Sequence, residues 1–388
     1  MRTALLLFLS VFVLSCSAQP AKKLVLKNSL KIARPDERMV LNRQQLSAFF
    51  GVVPAGQVPE LIDGEGGSIP SQTDDLDRNG NWDELAFVCS FKPGEIKTIS
   101  CRYIPENKLP HYIIRTSVCF SKLDSTGHYQ PLEKEVMPAE HTVNTLQRYQ
   151  LEGPAWENDC IGFRNYFDSR NAMDIFGKRT NQMVLDQTDL DPKVAEYMTM
   201  QPWGMDILMV AGSLGAGGLG IYAKDSLYRL TGAKVTSFEL ITRGPVRAVL
   251  RLNYAGVRIA GDVIDLHHEI SIWAGEPGYH SRVWLTGATQ TVQLVAGLPH
   301  IKNKSLRVHN EKGNHFSLST FDRQADNGDH LGMALLLPVK DYAGSATSPV
   351  SGNGVTQTYY AKLRIKNNQA VNFWFIAGWE GQDKAYAH

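Results

Sequence analysis

Residues 153–178, GPAWENDCIGFRNYFDSRNAMDIFGK, gather charged and aromatic groups at spacings that suit an anionic ligand. Read as one strand, they put Ile161, Phe163 and Phe167 on one side. Arg164, Tyr166, Asp168 and Arg170 fall on the other, because side chains alternate faces with period two. Neighbours in that row stand about 6–7 Å apart. Two guanidiniums bracketing an acid and a phenol match a carboxylate or an acidic sugar, and a solvated Arg–Asp–Arg ladder uses the same residue types. Trp156, Tyr166 and Phe176, with Gly153, Gly162 and Gly177, favour a shaped groove in which Trp156 stacks on the ligand.

Three later alternating runs add to this chemistry. Residues 245–254 turn Val246, Ala248, Leu250, Leu252 and Tyr254 inward and Arg247, Arg251 and Asn253 outward. Residues 263–273 turn His268 inward with the aliphatics, as a core histidine, and Asp265, His267 and Glu269 outward. Residues 279–286 bury Val283 and Leu285 and present His280, Arg282 and Trp284. On one concave sheet these faces make a groove for an acidic oligosaccharide. Elimination at a uronate needs a base for the C5 proton and a cation against the adjacent carboxylate. His267, His280 and Tyr166 are candidate base or acid. Arg164, Arg170 and Arg282 are candidate carboxylate partners. Asp168 pairs with Glu269 for the rival chemistry, glycoside hydrolysis. No G-x-S-x-G is present, and no cofactor is required for this chemistry.

The most specific local motif is Asp75-Leu-Asp77-Arg-Asn79-Gly80-Asn81-Trp-Asp83-Glu84. Oxygen ligands from Asp75, Asp77, Asn79, Asn81 and Asp83, with Gly80 at the tight turn, can wrap a hard cation such as Ca²⁺. Ala86 stands where an EF-hand carries its bidentate glutamate, so the loop resembles the short calcium loops of β-propeller and dockerin-type repeats. The expected role of an ion here is structural. An ion-free Asx-rich turn is the alternative.

Met1–Arg2, the apolar run from Ala4 to Leu14 and the small residues to Ala18 read as a signal peptide over 1–18. Val13-Leu14-Ser15-Cys16 resembles a lipobox, which would lipidate Cys16; cleavage after Ala18 is the rival. The expected location is the periplasm or outer membrane, with membrane contact only through that lipid. Four further cysteines, Cys89, Cys101, Cys119 and Cys160, then meet an oxidising compartment. A hairpin centred on Glu95 sets Cys89 opposite Cys101 for a bridge, whereas a turn centred earlier separates them. A net charge of +1 without basic runs excludes general nucleic-acid binding.

The elements around these residues read as strands. Leu24–Lys27, 39–42, 85–90, 96–103 and 113–120 alternate; Arg43–Phe50 suits one or two helical turns, 138–150 a short helix, and 51–73 surface loops. Gly215-Ala-Gly217-Gly-Leu-Gly220 fits G-x-G-x-x-G literally, but a strand-like run follows it, which excludes a dinucleotide fold and points to close packing. The whole predicts a mainly β protein of stacked antiparallel sheets. Residues 22–108 form a small N-terminal β subdomain, and 109–388 form a large antiparallel sandwich that carries the site.

Four stretches together (71–87, 153–178, 203–220 and 243–246) resemble a family of secreted proteins from polysaccharide-degrading bacteria, domain of unknown function 4861. The resemblance implies a place in carbohydrate utilisation, beside enzymes that handle unsaturated uronyl sugars, and a dehydratase or lyase acting on uronate oligosaccharides. The long strands also look like the β-supersandwich of galactose mutarotases and polysaccharide lyases. A non-catalytic glycan-binding lipoprotein and a mutarotase-like epimerase are the other readings.

Overall fold

Period-two runs of β-branched and aromatic residues build most of this chain. The computed structural model describes residues 23–138, 140–142, 148–191, 193–259, 261–288, 293–302, 305–310 and 313–387. The leader with Cys16 lies outside them, as do 139 and 143–147 of the helix expected over 138–150. Among the described residues, no helix is long and apolar enough to cross a membrane.

A nine-stranded antiparallel sheet dominates. Its order is Lys134–Val136, Val235–Arg243, Arg247–Ile259, Asp262–Trp273, Gly278–Thr286, Val371–Trp379, Leu331–Pro338, His315–Asp322 and Leu306–Asn310. The inner face, carrying Leu250, Leu252, Leu266 and Ile270, buries against two five-stranded sheets. The central one runs Gly204–Asp206, Met173–Lys178, Ile161–Asn165, Ala155–Asn158, Thr116–Cys119. The other runs Ser226–Tyr228, Leu219–Ala223, Gln293–Pro299, Thr358–Leu363, Tyr342–Thr347. The stacked antiparallel architecture is the one that the alternating runs predict. Gly217 shows the close packing expected of its motif: a Cβ there would lie 2.5 Å from the Tyr279 hydroxyl.

The N-terminal part folds around its own core of Leu46, Leu61, Leu85, Phe87 and Ile99. Two three-stranded sheets enclose it: Leu24–Lys27, Ile96–Pro105, Gln57–Ile62, and Arg34–Asn42, Glu84–Phe91, Ser71–Asp74. Arg43–Phe50 is a helix, started by the reciprocal capping of Asn42 and Gln45. Residues 51–73 are not all loop, since they contain Gln57–Ile62 and Ser71–Asp74. Pro59 disguises the first, and an edge strand tolerates its missing N–H. The hairpin bringing Cys89 to Cys101 does not form. Their strands enter different sheets, and Cys89, Cys101, Cys119 and Cys160 are free thiols.

A polar seam joins this subdomain to the large sandwich. Arg247, expected on a solvated face, is buried there. It pairs with Asp74 and, at 2.7 Å, with Glu84. Gln72 Oε1 accepts from the Val246 and Arg247 amides at 3.0 and 2.9 Å. Fixing that seam fixes where the subdomain meets the nine-stranded sheet.

His268 lies in the core as its register predicts, 2.8 Å from the Ser281 hydroxyl. Burial pushes it down to about 3, and burial with Arg38 nearby pushes His280 down to about 4. Both are neutral in the folded chain and protonate at about 6.5 in the unfolded one. Their stabilising share is therefore complete above about 6.5 and is lost as pH falls toward those folded values. Melting temperatures should drop across that interval, and His268→Gln should flatten the slope, as read by a pH series of thermal melts.

Candidate functional site

Residues 153–178 fold as three strands, not one. Ala155–Asn158 pairs with Ile161–Asn165, which pairs with Met173–Lys178. The single-strand reading fails at Asp168, whose Oδ1 accepts from the Arg170 amide at 2.7 Å and turns the chain. Asp-Ser-Arg-Asn was the sequence signal for that turn. The row of four therefore splits. Arg164 is 2% exposed, bonded to Asp174 and Asp206 at 2.8 and 2.9 Å, and packed over Tyr166, Phe176 and Tyr197. Burial disfavours its cation, but Tyr166, Asp174 and Asp206 hold its pKa well above the ordinary range. Tyr166 donates to Asp174 Oδ2 at 2.7 Å, and burial pushes its pKa well up, so it keeps its proton. Asp168 is buried against Arg170, which also pairs with Glu152. Trp156 is wholly buried against Phe163 and Tyr279, where no sugar can stack on it. These residues hold the central sheet together. Tyr166 and Asp168 do line a cavity of about 340 Å³, with His141, Asn171 and Tyr254, but Arg164 has no free valence to offer it.

The other candidates meet elsewhere, on the outer face of the nine-stranded sheet. Glu239, Arg251, Glu269 and Arg282 stand side by side across four strands. Two residues along, Asn253, His267 and Trp284 form the next row. His267 Nδ1 is 2.7 Å from the Asn253 amide oxygen. That acceptor places the proton on Nδ1 and leaves the lone pair on Nε2. Burial, then Arg251, lowers the His267 pKa, so the ring is neutral at neutral pH. It stacks on Trp284 with centroids 5.0 Å apart. The Arg282 guanidinium lies 4.8 Å over the same indole, is half exposed, and only loosely meets Glu269 at 3.7 Å. Glu269 is held by Arg251 at 2.8 Å. His280 lies in the row on the opposite side of Arg282, facing Ser271 and Trp374.

The two groups cannot act on one atom. Tyr254, which lines the inner cavity, and Asn253, which holds His267, are consecutive residues and point to opposite faces of one sheet. Asp168 and Glu269 are likewise on different sides, so the carboxylate pair for hydrolysis is not assembled.

A family model matches residues 26–388. The chain belongs to that family, described as Domain of unknown function (DUF4861). No curated protein matches the sequence. Among solved structures, a glycosyl hydrolase family 38 protein from Enterococcus faecalis is 8% identical with a TM-score of 0.42. An α-mannosidase from the same organism is 7% identical with a TM-score of 0.43. Each match takes in 92% of this chain and 44% or 43% of the other, so the chain spans less than half of those proteins. A likeness this loose says nothing about a reaction.

Within this family member, the acidic loop lies beside the charged row of the outer face. Carboxylate oxygens of Asp75, Asp77 and Asp83 come within 4.8 Å of one another. Asn79 and Asn81 stay in the loop, bonded to Asp77 and to each other. Such an all-oxygen set fits a hard dication. Arg78 turns away from it, donating to Leu240 O at 2.8 Å and to Glu239 at 3.3 Å, the first member of the charged row. From sequence, Asp174 and Asp206 went unnoticed as partners of Arg164. Their signal was alternation in Met173–Lys178 and Gly204–Asp206, which puts both on the face of Arg164.

Proposed function

We propose that this protein is an exported carbohydrate-active enzyme that performs β-elimination on uronic-acid oligosaccharides along the outer face of the nine-stranded sheet. One observation carries the reading: a neutral, oriented histidine beside a half-free guanidinium on an indole platform. Arg282 takes the uronate carboxylate and stabilises the charge that develops when C5 loses its proton. Nε2 of His267 removes that proton. The electron pair forms the C4–C5 double bond as the C4–O bond breaks, and the imidazolium returns the proton to the departing oxygen. Trp284 holds the sugar ring. Incubation with uronic-acid oligosaccharides should raise the ultraviolet absorbance of a 4,5-unsaturated product. Cleavage without that absorbance would overturn the reading in favour of hydrolysis.

The openness of this face also suits a non-catalytic glycan-binding module. His267→Asn separates the two: the enzyme loses turnover on substrate that Arg282 and Trp284 still hold, whereas a binder has no turnover to lose and keeps its affinity.

We also propose that the acidic loop holds a structural Ca²⁺ and that Cys16 carries the lipid that anchors the protein outside the cytoplasm. Chelation should lower the melting temperature and Ca²⁺ restore it, with Asp75→Ala insensitive to both; identical melts with and without chelator contradict the ion.

A further inference from the structure

The N-terminal subdomain also reaches the outer face of the nine-stranded sheet through Arg38 on strand Arg34–Asn42. Its guanidinium lies 5.6 Å over the ring of Trp374 on the nine-stranded sheet. Among the described residues its one carboxylate contact is Glu276, and it is loose: 3.4 Å from Nε and 3.5 Å from Nη1. Both side chains remain about a third exposed, at 32% and 28%. His280 packs on the same indole at 4.9 Å, and burial keeps its ring neutral. A partly exposed cation with a weak partner thus lies against an aromatic ring on the outer face of the sheet.

This spot and the His267 station belong to one surface. Trp374 faces His280, His280 faces Ser271, and Ser271 is four residues from His267 on the same strand. Four strand residues span about 13 Å. That is longer than one pyranose ring, so a single sugar cannot touch both stations. Between them runs the Arg251–Glu269–Arg282 row.

We infer that Arg38 and Trp374 form a second anion subsite, which binds the carboxylate of a uronate some residues away from the reacting one and makes the substrate a polyanionic oligosaccharide rather than a disaccharide. The inference rests on the elimination reading of the groove. Arg38 exchanges Glu276 for the incoming carboxylate. Glu276 is then a competitor of the substrate. Burial already raises its pKa, against the pull of Arg38 and with Glu37 adding to the rise.

The test compares kcat/KM on a uronic-acid disaccharide, on a hexasaccharide, and on the same hexasaccharide with its inner carboxylates reduced to alcohols. The wild-type protein should favour the charged hexasaccharide by about 10-fold or more, the worth of one charge-assisted contact. Reduction of the carboxylates should erase the gain, and Arg38→Gln should bring the ratio of long to short substrate near one. Glu276→Gln should increase that ratio, the opposite of what loss of a structural ion pair does. Arg38→Lys keeps the charge, loses the planar fork over the indole, and should reduce the ratio in part; it serves if Arg38→Gln unfolds. Equal kcat/KM at both lengths, or an undiminished ratio in Arg38→Gln, overturns the subsite while leaving elimination intact. If no elimination occurs at all, the earlier reading fails by itself, and calorimetric Kd values for the same three ligands decide the subsite on the same criteria.

Discussion

Replacing Arg164 by methionine should cost about 3–5 kcal/mol of stability and leave ligand affinity of the surviving folded protein unchanged. The substitution strands Asp174 and Asp206, both essentially inaccessible to water, without the cation that they share. Breaking a buried pair from one side has that cost because the remaining charge is neither solvated nor neutralised. Asp206 already resists ionisation: burial, and then Asp174, push its pKa well up. Denaturant titration monitored by tryptophan fluorescence measures the loss. A change under about 1 kcal/mol accompanied by failure to bind uronate would restore Arg164 as a ligand-binding residue and contradict its placement as the clamp of the central sheet.

His267→Asn should reduce turnover on uronate oligosaccharides by about 100- to 10,000-fold, the usual worth of a positioned general base. KM should change little, since Arg282 and Trp284 remain to hold the sugar. The pH profile gives a second reading. Burial and Arg251 depress the His267 pKa, with Asp265 opposing, so the acid limb of kcat/KM should lie below the ordinary histidine value of about 6.5. An Asn253→Asp variant, which places a carboxylate against Nδ1, should move that limb upward. Steady-state kinetics across pH checks both. Full activity in His267→Asn would remove the base from the mechanism.

Residue periodicity carried the fold a long way. Leu250, Leu252, Leu266 and Ile270 face inward and Arg251, His267, Glu269, Arg282 and Trp284 outward, as their alternation predicts. The short N-terminal helix was equally legible, since Asn42 and Gln45 spell its capping box. Alternation could not say which outward face meets water. Arg164 and Arg282 look alike as sequence, yet one is buried against Leu151, Phe176 and Tyr197 and the other is half exposed. The cover over Arg164 comes from Leu151, 13 residues before it, and Tyr197, 33 residues after it, a tertiary fact that no local pattern encodes. Charge alone also hid the seam, because Arg247 follows the same alternation as Arg251 but meets Asp74 from a different subdomain. The opening reading of 161–170 as a strand failed for a local reason, the Asx turn at Asp168. The proposed function therefore rests on His267 and Arg282 of the outer rows, not on that segment.

The account stands or falls on whether the C5–H bond of a uronate is broken on this protein. Proton NMR of an oligouronate incubated with the wild-type chain reads that bond directly. The H5 signal of the reacting residue should disappear as a vinylic H4 signal grows in equal proportion, and neither should change with His267→Asn. Retention of H5 while new anomeric signals accumulate would show that the groove hydrolyses or epimerises its sugar instead.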